Sequence, residues 1–477
     1  MKLRIVLNSL SVDCFNKCCR TVRPKLQSYN LMKKSQVSSE IHKQVKQARE
    51  AFLVLANMEN LHKNNVLHEL AQALRENSAE ILAENARDMT EAQKMLECGE
   101  LSASACKRVL LNEEKIEQMA QNCESVAALP DPAGKIIQAT RLDEGLDLYR
   151  VSCPIGVILV IFESRPDVVI QISALALKSG NAVILKGGKE AQNSNRVLAK
   201  LIRNTLAKND TVPENAVSLV ESRDEVSQLV KMSSELDLII PRGSNELVRN
   251  IQKNAQVPVL GHADGLCHVY LDQAADEKKS IEVALDAKLD YPAVCNAAET
   301  LLVHQKYPVE WLVEILRKMQ EAGVELRVCQ QTQKRLEKFT ELKLKTAVEE
   351  DWTTEYIDLI ISVKSVKSAE AAVRHINHFG SRHTDTIVTE NSELAEWFMN
   401  TVDAAGVFWN ASTRFADGFR YGFGAEVGVS TGKTHSRGPV GLEGLVIYKY
   451  KLYGNGQVAG QYGKGKREFL HEEIQYK

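Results

Sequence analysis

The sequence predicts an α/β protein built on doubly wound parallel sheets. From residue 146 onward, short β-branched, apolar runs alternate with helical patterns, as expected of successive βαβ units. One run, Ile155–Phe162, is apolar throughout, which marks a strand covered on both faces. Right-handed crossovers in such sheets place ligands at the carboxyl ends of the strands.

The elements follow in order. Ile41, Val45, Ala48, Phe52 and Leu55 recur at helical spacing, and Leu67, Leu70, Ala71 and Leu74 continue an apolar face. Asn77-Ser78 reads as a cap opening a further helix through Ile81, Leu82 and Met89. This helical lead-in reaches Val126 and ends in a loop at Pro130 and Pro132. After Ile155–Phe162, Pro166 opens a helix that Gly180 closes. Ala182–Lys186, Val217–Glu221 and Leu236–Pro241 read as further strands, with a helix over Ala191–Ala207. A second α/β region has strands at His268–Asp272, Thr300–His304, Asp358–Val363 and Asp385–Thr389. Its helices lie around Glu310–Ala322, Ser368–Phe379 and Glu393–Val402. A glycine-rich stretch after Gly406 precedes a strand-like run, Leu445–Tyr450.

Composition mainly excludes. A chain of 477 residues, 44% hydrophobic and 26% charged, suits two or three packed domains. A net charge of -2 gives no nucleic-acid surface, and no run approaches the roughly 18 apolar residues of a membrane span. The ten cysteines are scattered without a C-x-x-C pair, as reduced intracellular thiols would be. Residues 1–36 hold eight Lys or Arg and one acid, Asp13. That composition is shared by organellar transit segments and by plain basic tails. The cytoplasm is therefore the expected compartment, with the mitochondrion as the alternative.

The sequence has no G-x-G-x-x-G after a strand, no Walker loop, no H-E-x-x-H and no G-x-S-x-G. His375 and His378 lie three apart on a helix without an obvious third ligand, so they read as a solvated face and no metal centre is expected. Cys295 lies between the Tyr291-Pro292 turn and a strand, with the amide of Asn296 beside it. A thiolate there could attack a carbonyl carbon while a backbone N–H stabilises the oxyanion; a buried core thiol is the alternative. Lys186-Gly187-Gly188-Lys189 ends a strand, so its glycines could admit a phosphate and its lysines could neutralise one. Glu163-Ser164-Arg165-Pro166, Asn410 to Arg414, and His435 to Pro439 add anion-binding groups.

Seven segments in order make these features collectively specific: IGVILVIFESRPD, SGNAVILKGGKEA, DLIIPRGSNELV, PVLGHADGLCHVYLD, YPAVCNAAETLLVH, FWNASTRFADGFRYGFGAEVGVSTGKTHSRGPVGLEGL and GNGQV. From about residue 38 to 475 the chain resembles the γ-glutamyl phosphate reductases of the aldehyde dehydrogenase superfamily. The likeness is greatest to the reductase half of bifunctional pyrroline-5-carboxylate synthases. It implies an NADPH-binding domain over 37–141 and 153–260, a catalytic domain over 261–436, and a small oligomerisation arm over 142–152 and 437–477.

The resemblance also implies chemistry. Cys295 would displace phosphate from L-glutamyl 5-phosphate, and hydride would convert the thioester to glutamate 5-semialdehyde, a proline precursor. Asn296 would assist. Ser164, Arg165, Pro166, Lys186, Gly187, Gly188, Lys189, Gly243 and Ser244 would bind coenzyme. Lys189 stands where many NAD-using relatives carry Glu, and a cation there favours the 2′-phosphate of NADPH. Arg165, His262, Asn410, Arg414, His435 and Arg437 would bind substrate. The general-base Glu of oxidative relatives is missing from Leu260–Gly265, which fits reduction. A homo-oligomer, dimer or tetramer, is expected, as is a separate glutamate kinase. A related acyl-phosphate or aldehyde reductase would share Cys295 and the Lys186 turn, whereas a non-catalytic scaffold would need neither.

Overall fold

The computed structural model describes residues 39–262 and 264–476. The basic segment 1–36, with its targeting expectation, lies outside them. A four-stranded parallel sheet runs in the order Val217–Val220, Ala182–Lys186, Val157–Phe162, Leu238–Arg242. Every residue of Val157–Phe162 is buried, because helices cover both faces. The helices at 39–55 and Asn60–Glu76 supply one cover through Ile41, Val45, Leu67 and Leu70, all in the same core as the sheet.

Local signals mostly coincide with element ends. Gly180 closes the helix Val168–Ser179 at φ +79°, where a Cβ would also stand 2.8 Å from Pro154. Asn77 differs from its expected role. Its side chain donates back to the Ala73 carbonyl at 2.7 Å, so it closes the preceding helix and does not cap Ser78–Glu97. The helix expected over Ala191–Ala207 begins as a 3₁₀ turn at Lys189–Ala191 and continues as Gln192–Ala207.

The second sheet has seven parallel strands: Leu344–Thr346, Glu325–Val328, Ile360–Val366, Ala298–His304, Cys267–Leu271, Thr384–Val388, Gly406–Trp409. Its first two strands and its last are only three or four residues long, so apolar patterning does not reveal them. A separate antiparallel sheet pairs Leu146–Pro154 with Val446–Tyr453 on one side and Ile136–Asp143 on the other. This hairpin starts at Ile136, before the Leu142 expected from sequence, and turns at Gly145, φ +68°. Among the described residues no helix is long and apolar enough to cross a membrane.

Candidate active site

Strand order brings the site together from distant segments. Cys295 sits in the turn before Ala298–His304, and Cys267–Leu271 pairs beside that strand. Thr384–Val388 pairs on the other side of Cys267–Leu271, which places His383 at the same edge. His262 arrives from the segment leading into Cys267. The result is a cluster in which Cys295 Sγ and a ring nitrogen from each of His262 and His383 lie within 4.8 Å of one another. The two rings meet edge-on, with centroids 4.9 Å apart.

The cluster corrects one expectation. These groups stand at the amino ends of the catalytic strands. The smaller sheet does present its motifs at carboxyl ends. Gly265 explains how Cys295 reaches the amino edge. A Cβ there would stand 2.5 Å from Cys295 Cα and 2.6 Å from its Cβ, so only glycine lets the segments touch.

Electrostatics favour a thiolate. Burial pushes the Cys295 thiol up, but His383 and His262 beside it outweigh burial and hold it well below the ordinary thiol range. Burial pulls His262 down, yet the Cys295 charge and the Val429 carbonyl raise it to about 9. His262 Nδ1 lies 2.8 Å from that carbonyl, which leaves Nε2 for Cys295. His383 is fully buried; its Nδ1 lies 3.0 Å from Thr384 Oγ1, and its Nε2 has no hydrogen-bond partner. Neighbouring Cys267 is the opposite case, since burial drives its thiol well above the usual range.

Asn296 takes another role than the one expected. Its Nδ2 donates to the Ala416 carbonyl at 2.9 Å, and its backbone carbonyl accepts from Thr413 Oγ1 at 2.7 Å. The side chain therefore fastens the 413–416 turn and is not a free donor to substrate. Arg414, buried on that turn, is committed to Asp290 at 3.1 Å, with Arg420 on the same carboxylate at 2.8 Å. Asn410 lies at the carboxyl edge of the sheet, where it bonds both the N–H and the carbonyl of Thr389. From there the chain turns back, so that Thr413, three residues on, reaches the Asn296 carbonyl beside Cys295. Arg437 pairs with Asp403 at 3.0 Å, beside Lys433 and Arg382. His435 and Arg382 line a cavity of about 630 Å³ that also touches Gly261, Ser381 and Ser430. Gly261 and Ser430 adjoin His262 and Val429 in the chain, and Ser381 lies two residues before His383.

At the smaller sheet, Ser164, Arg165 and Pro166 follow Val157–Phe162. Ser164 has φ +50° and donates through its N–H at 2.6 Å and its hydroxyl at 2.9 Å to Glu190. Gly187 and Gly188 do not open space for a ligand. A Cβ at Gly187 would meet Asn195 Cγ at 2.8 Å, and one at Gly188 would overlap the Glu190 carboxylate. Gly243 is filled by Glu163 and Leu247, and the Ser244 N–H donates to Glu163 at 2.8 Å. Lys186 is half-buried, and burial lowers it. Lys189 is exposed and paired with Glu100 at 3.2 Å.

Sequence reasoning missed several groups. Arg108 and Arg242 are both pushed down by burial and then by the charge of Arg165, so three guanidiniums converge. Arg108 Nε and Arg242 Nη1 are buried without hydrogen-bond partners. Glu355 and Glu426 are raised by burial, and the Cys295 charge adds to both shifts. Two carboxyls therefore lie within electrostatic reach of Cys295, although neither comes from Leu260–Gly265.

Comparison with known proteins agrees with this geometry. The model of the aldehyde dehydrogenase family matches residues 16–337. The γ-glutamyl phosphate reductase of Methanococcoides burtonii is 48% identical over 442 residues, 92% of this chain and 98% of its own. γ-Glutamyl phosphate reductase 1 of Synechocystis is 49% identical over 437 residues, 91% of this chain and 98% of that one. The chain belongs to the γ-glutamyl phosphate reductases of the aldehyde dehydrogenase family. The crystal structure of the Thermotoga maritima γ-glutamyl phosphate reductase, 41% identical, superposes with a TM-score of 0.83 over 88% of this chain and 99% of that one. Membership makes the protein an oxidoreductase that works with a nicotinamide coenzyme. The smaller sheet suits one. Lys186 is a half-buried cation at its carboxyl edge, and Asn195 Oδ1 is a buried acceptor without a partner.

Proposed function

We propose that the protein reduces L-glutamyl 5-phosphate to L-glutamate 5-semialdehyde and phosphate in proline biosynthesis, with Cys295 as nucleophile and NADPH as donor. The placement of Cys295 Sγ between two imidazoles carries this reading. The thiolate attacks the acyl carbon, and phosphate leaves with the electron pair of the broken C–O bond. The Asn296 side chain is already engaged, so stabilising the oxyanion falls to backbone N–H groups of the 295–296 turn. Arg165, with Arg108 and Arg242 behind it, receives the phosphate; unpartnered buried guanidinium N–H groups are costly until an anion satisfies them. The cavity with Arg382 and His435 on its wall takes the glutamyl end.

The coenzyme, when bound, supplies the hydride that reduces the thioester carbon. The tetrahedral adduct on Sγ then collapses to aldehyde and expels Cys295 as thiolate, which the imidazolium of His262 stabilises without a further proton. Lys186 holds the coenzyme's ribose, and Lys189 turns from Glu100 to the 2′-phosphate. That exposed pair contributes only about 0–1 kcal/mol, so exchanging partners is cheap. The exposed edge strand Val446–Tyr453 is the surface for homo-oligomerisation. Because acyl phosphates are labile, a glutamate kinase supplies the substrate as a functional partner, and the cytoplasm is the compartment we favour over the mitochondrion.

The test runs the reaction backward. Glutamate 5-semialdehyde, phosphate and NADP⁺ should generate NADPH absorbance, faster than with NAD⁺, and Cys295→Ser should abolish it. Turnover surviving that substitution would refute the nucleophile.

A further inference from the structure

No metal is expected from the sequence, and the proposed reaction uses none. Yet the nucleophile's cluster has the donor set of a metal site. Cys295 Sγ and one ring nitrogen from each of His262 and His383 lie within 4.8 Å of one another. Both rings are anchored through Nδ1, His262 by the Val429 carbonyl at 2.8 Å and His383 beside Thr384 Oγ1 at 3.0 Å. Nε2 is thus the nitrogen that each ring has left to offer. On His383, a fully buried side chain, that atom has no hydrogen-bond partner. Imidazoles fixed through Nδ1 with Nε2 turned inward are the outer-shell pattern that orients histidine to a metal.

One thiolate and two imidazoles form a borderline-soft set, which suits Zn²⁺ and disfavours Mg²⁺ or Ca²⁺. Tetrahedral zinc, with Zn–S about 2.3 Å and Zn–N about 2.0–2.1 Å, needs donors about 3.3–3.6 Å apart. Side-chain rotation can supply a contraction of that size, and a fourth position stays open for water.

We propose that His262, Cys295 and His383 form a Zn²⁺ site whose occupancy reversibly blocks the nucleophile. Metal and acyl group exclude each other because each must bond Sγ. Zinc is therefore an inhibitor competitive with the acyl substrate.

Chelator-treated full-length protein is titrated with ZnCl₂ by calorimetry, and with Co²⁺ by absorbance. Iodoacetamide labelling of Cys295 is followed by peptide mapping. None of these readouts requires turnover, so they can fail independently of the proposed reaction. The expected result is a Zn²⁺-binding event that Cys295→Ser and His383→Gln each weaken at least tenfold, roughly the scale set by metal-site substitutions. Circular dichroism should show both variants folded at the titration temperature. Other cysteines that capture zinc contribute equally to wild type and Cys295→Ser, so the difference isolates the site. Co²⁺ should show the intense visible bands of a tetrahedral thiolate site, and saturating Zn²⁺ should protect Cys295 from alkylation until EDTA is added. Undiminished zinc affinity in folded Cys295→Ser, unprotected Cys295, or octahedral Co²⁺ spectra would overturn the proposal.

Discussion

Replacing both imidazoles, His262→Gln with His383→Gln, should remove the reactivity of Cys295 at low pH. In the wild type they hold the thiol well below its ordinary range against the opposing push of burial. An ordinary thiol, pKa about 8.5, is about 0.3% ionised at pH 6, so a thiol held low enough to be fully ionised there has about 300-fold more thiolate. Intrinsic nucleophilicity falls with pKa at a Brønsted slope of about 0.4–0.5, which cancels about half of that gain on a logarithmic scale. Roughly 20-fold remains. In the double variant only burial acts, so the difference should be at least that large. The assay is iodoacetamide labelling of the Cys295 peptide from pH 5.5 to 9, read by mass spectrometry. A wild-type rate that climbs about tenfold per pH unit between 6 and 8, as an ordinary thiol's would, refutes the ion pair. So does a double variant that labels as fast as wild type at pH 6.

Other consequences follow from the same contacts. Gly265→Ala forces a Cβ to within 2.5 Å of Cys295 Cα, and a nucleophile displaced by about 1 Å should lose about 100-fold in kcat while the circular dichroism spectrum is kept. Lys189→Glu should reverse the coenzyme preference, seen as a rise in KM for NADPH of about tenfold or more and a smaller change for NADH, because a carboxylate repels the 2′-phosphate. His262, raised to about 9 against an unfolded value of about 6.5, stabilises the fold fully below about pH 6.5. That contribution is lost as pH rises through about 9, so wild-type Tm should fall over this window more than that of His262→Gln. Lys288→Met breaks a buried pair, Lys288 to Glu299 at 2.7 Å, and should cost about 3–5 kcal/mol at pH 8 in denaturant melts. Glu299, raised to about 7 mainly by burial, can take up a proton in acid, so the cost should shrink at pH 5.

The parallel strands at the centre of both sheets were legible because both of their faces are covered, which leaves runs such as Val157–Phe162 with no polar position to interrupt them. Cys295 was legible through its flanking motif. The edge strands Leu344–Thr346 and Gly406–Trp409 were not, since a half-covered strand of three or four residues lacks a period to read. The partners of Cys295 were hidden for a different reason. His383 is remote from Cys295 in sequence, and only the register of Thr384–Val388 against Cys267–Leu271 brings it alongside. Asn410 is engaged by Thr389, and short ion pairs drew Arg414 and Arg437 to Asp290 and Asp403. Residue type and local pattern therefore determined the layered fold, and the motifs around Cys295 marked it as the candidate nucleophile. Charge state and the grouping of ligands depend on through-space distances between segments far apart in the chain, and those the tertiary structure alone decided.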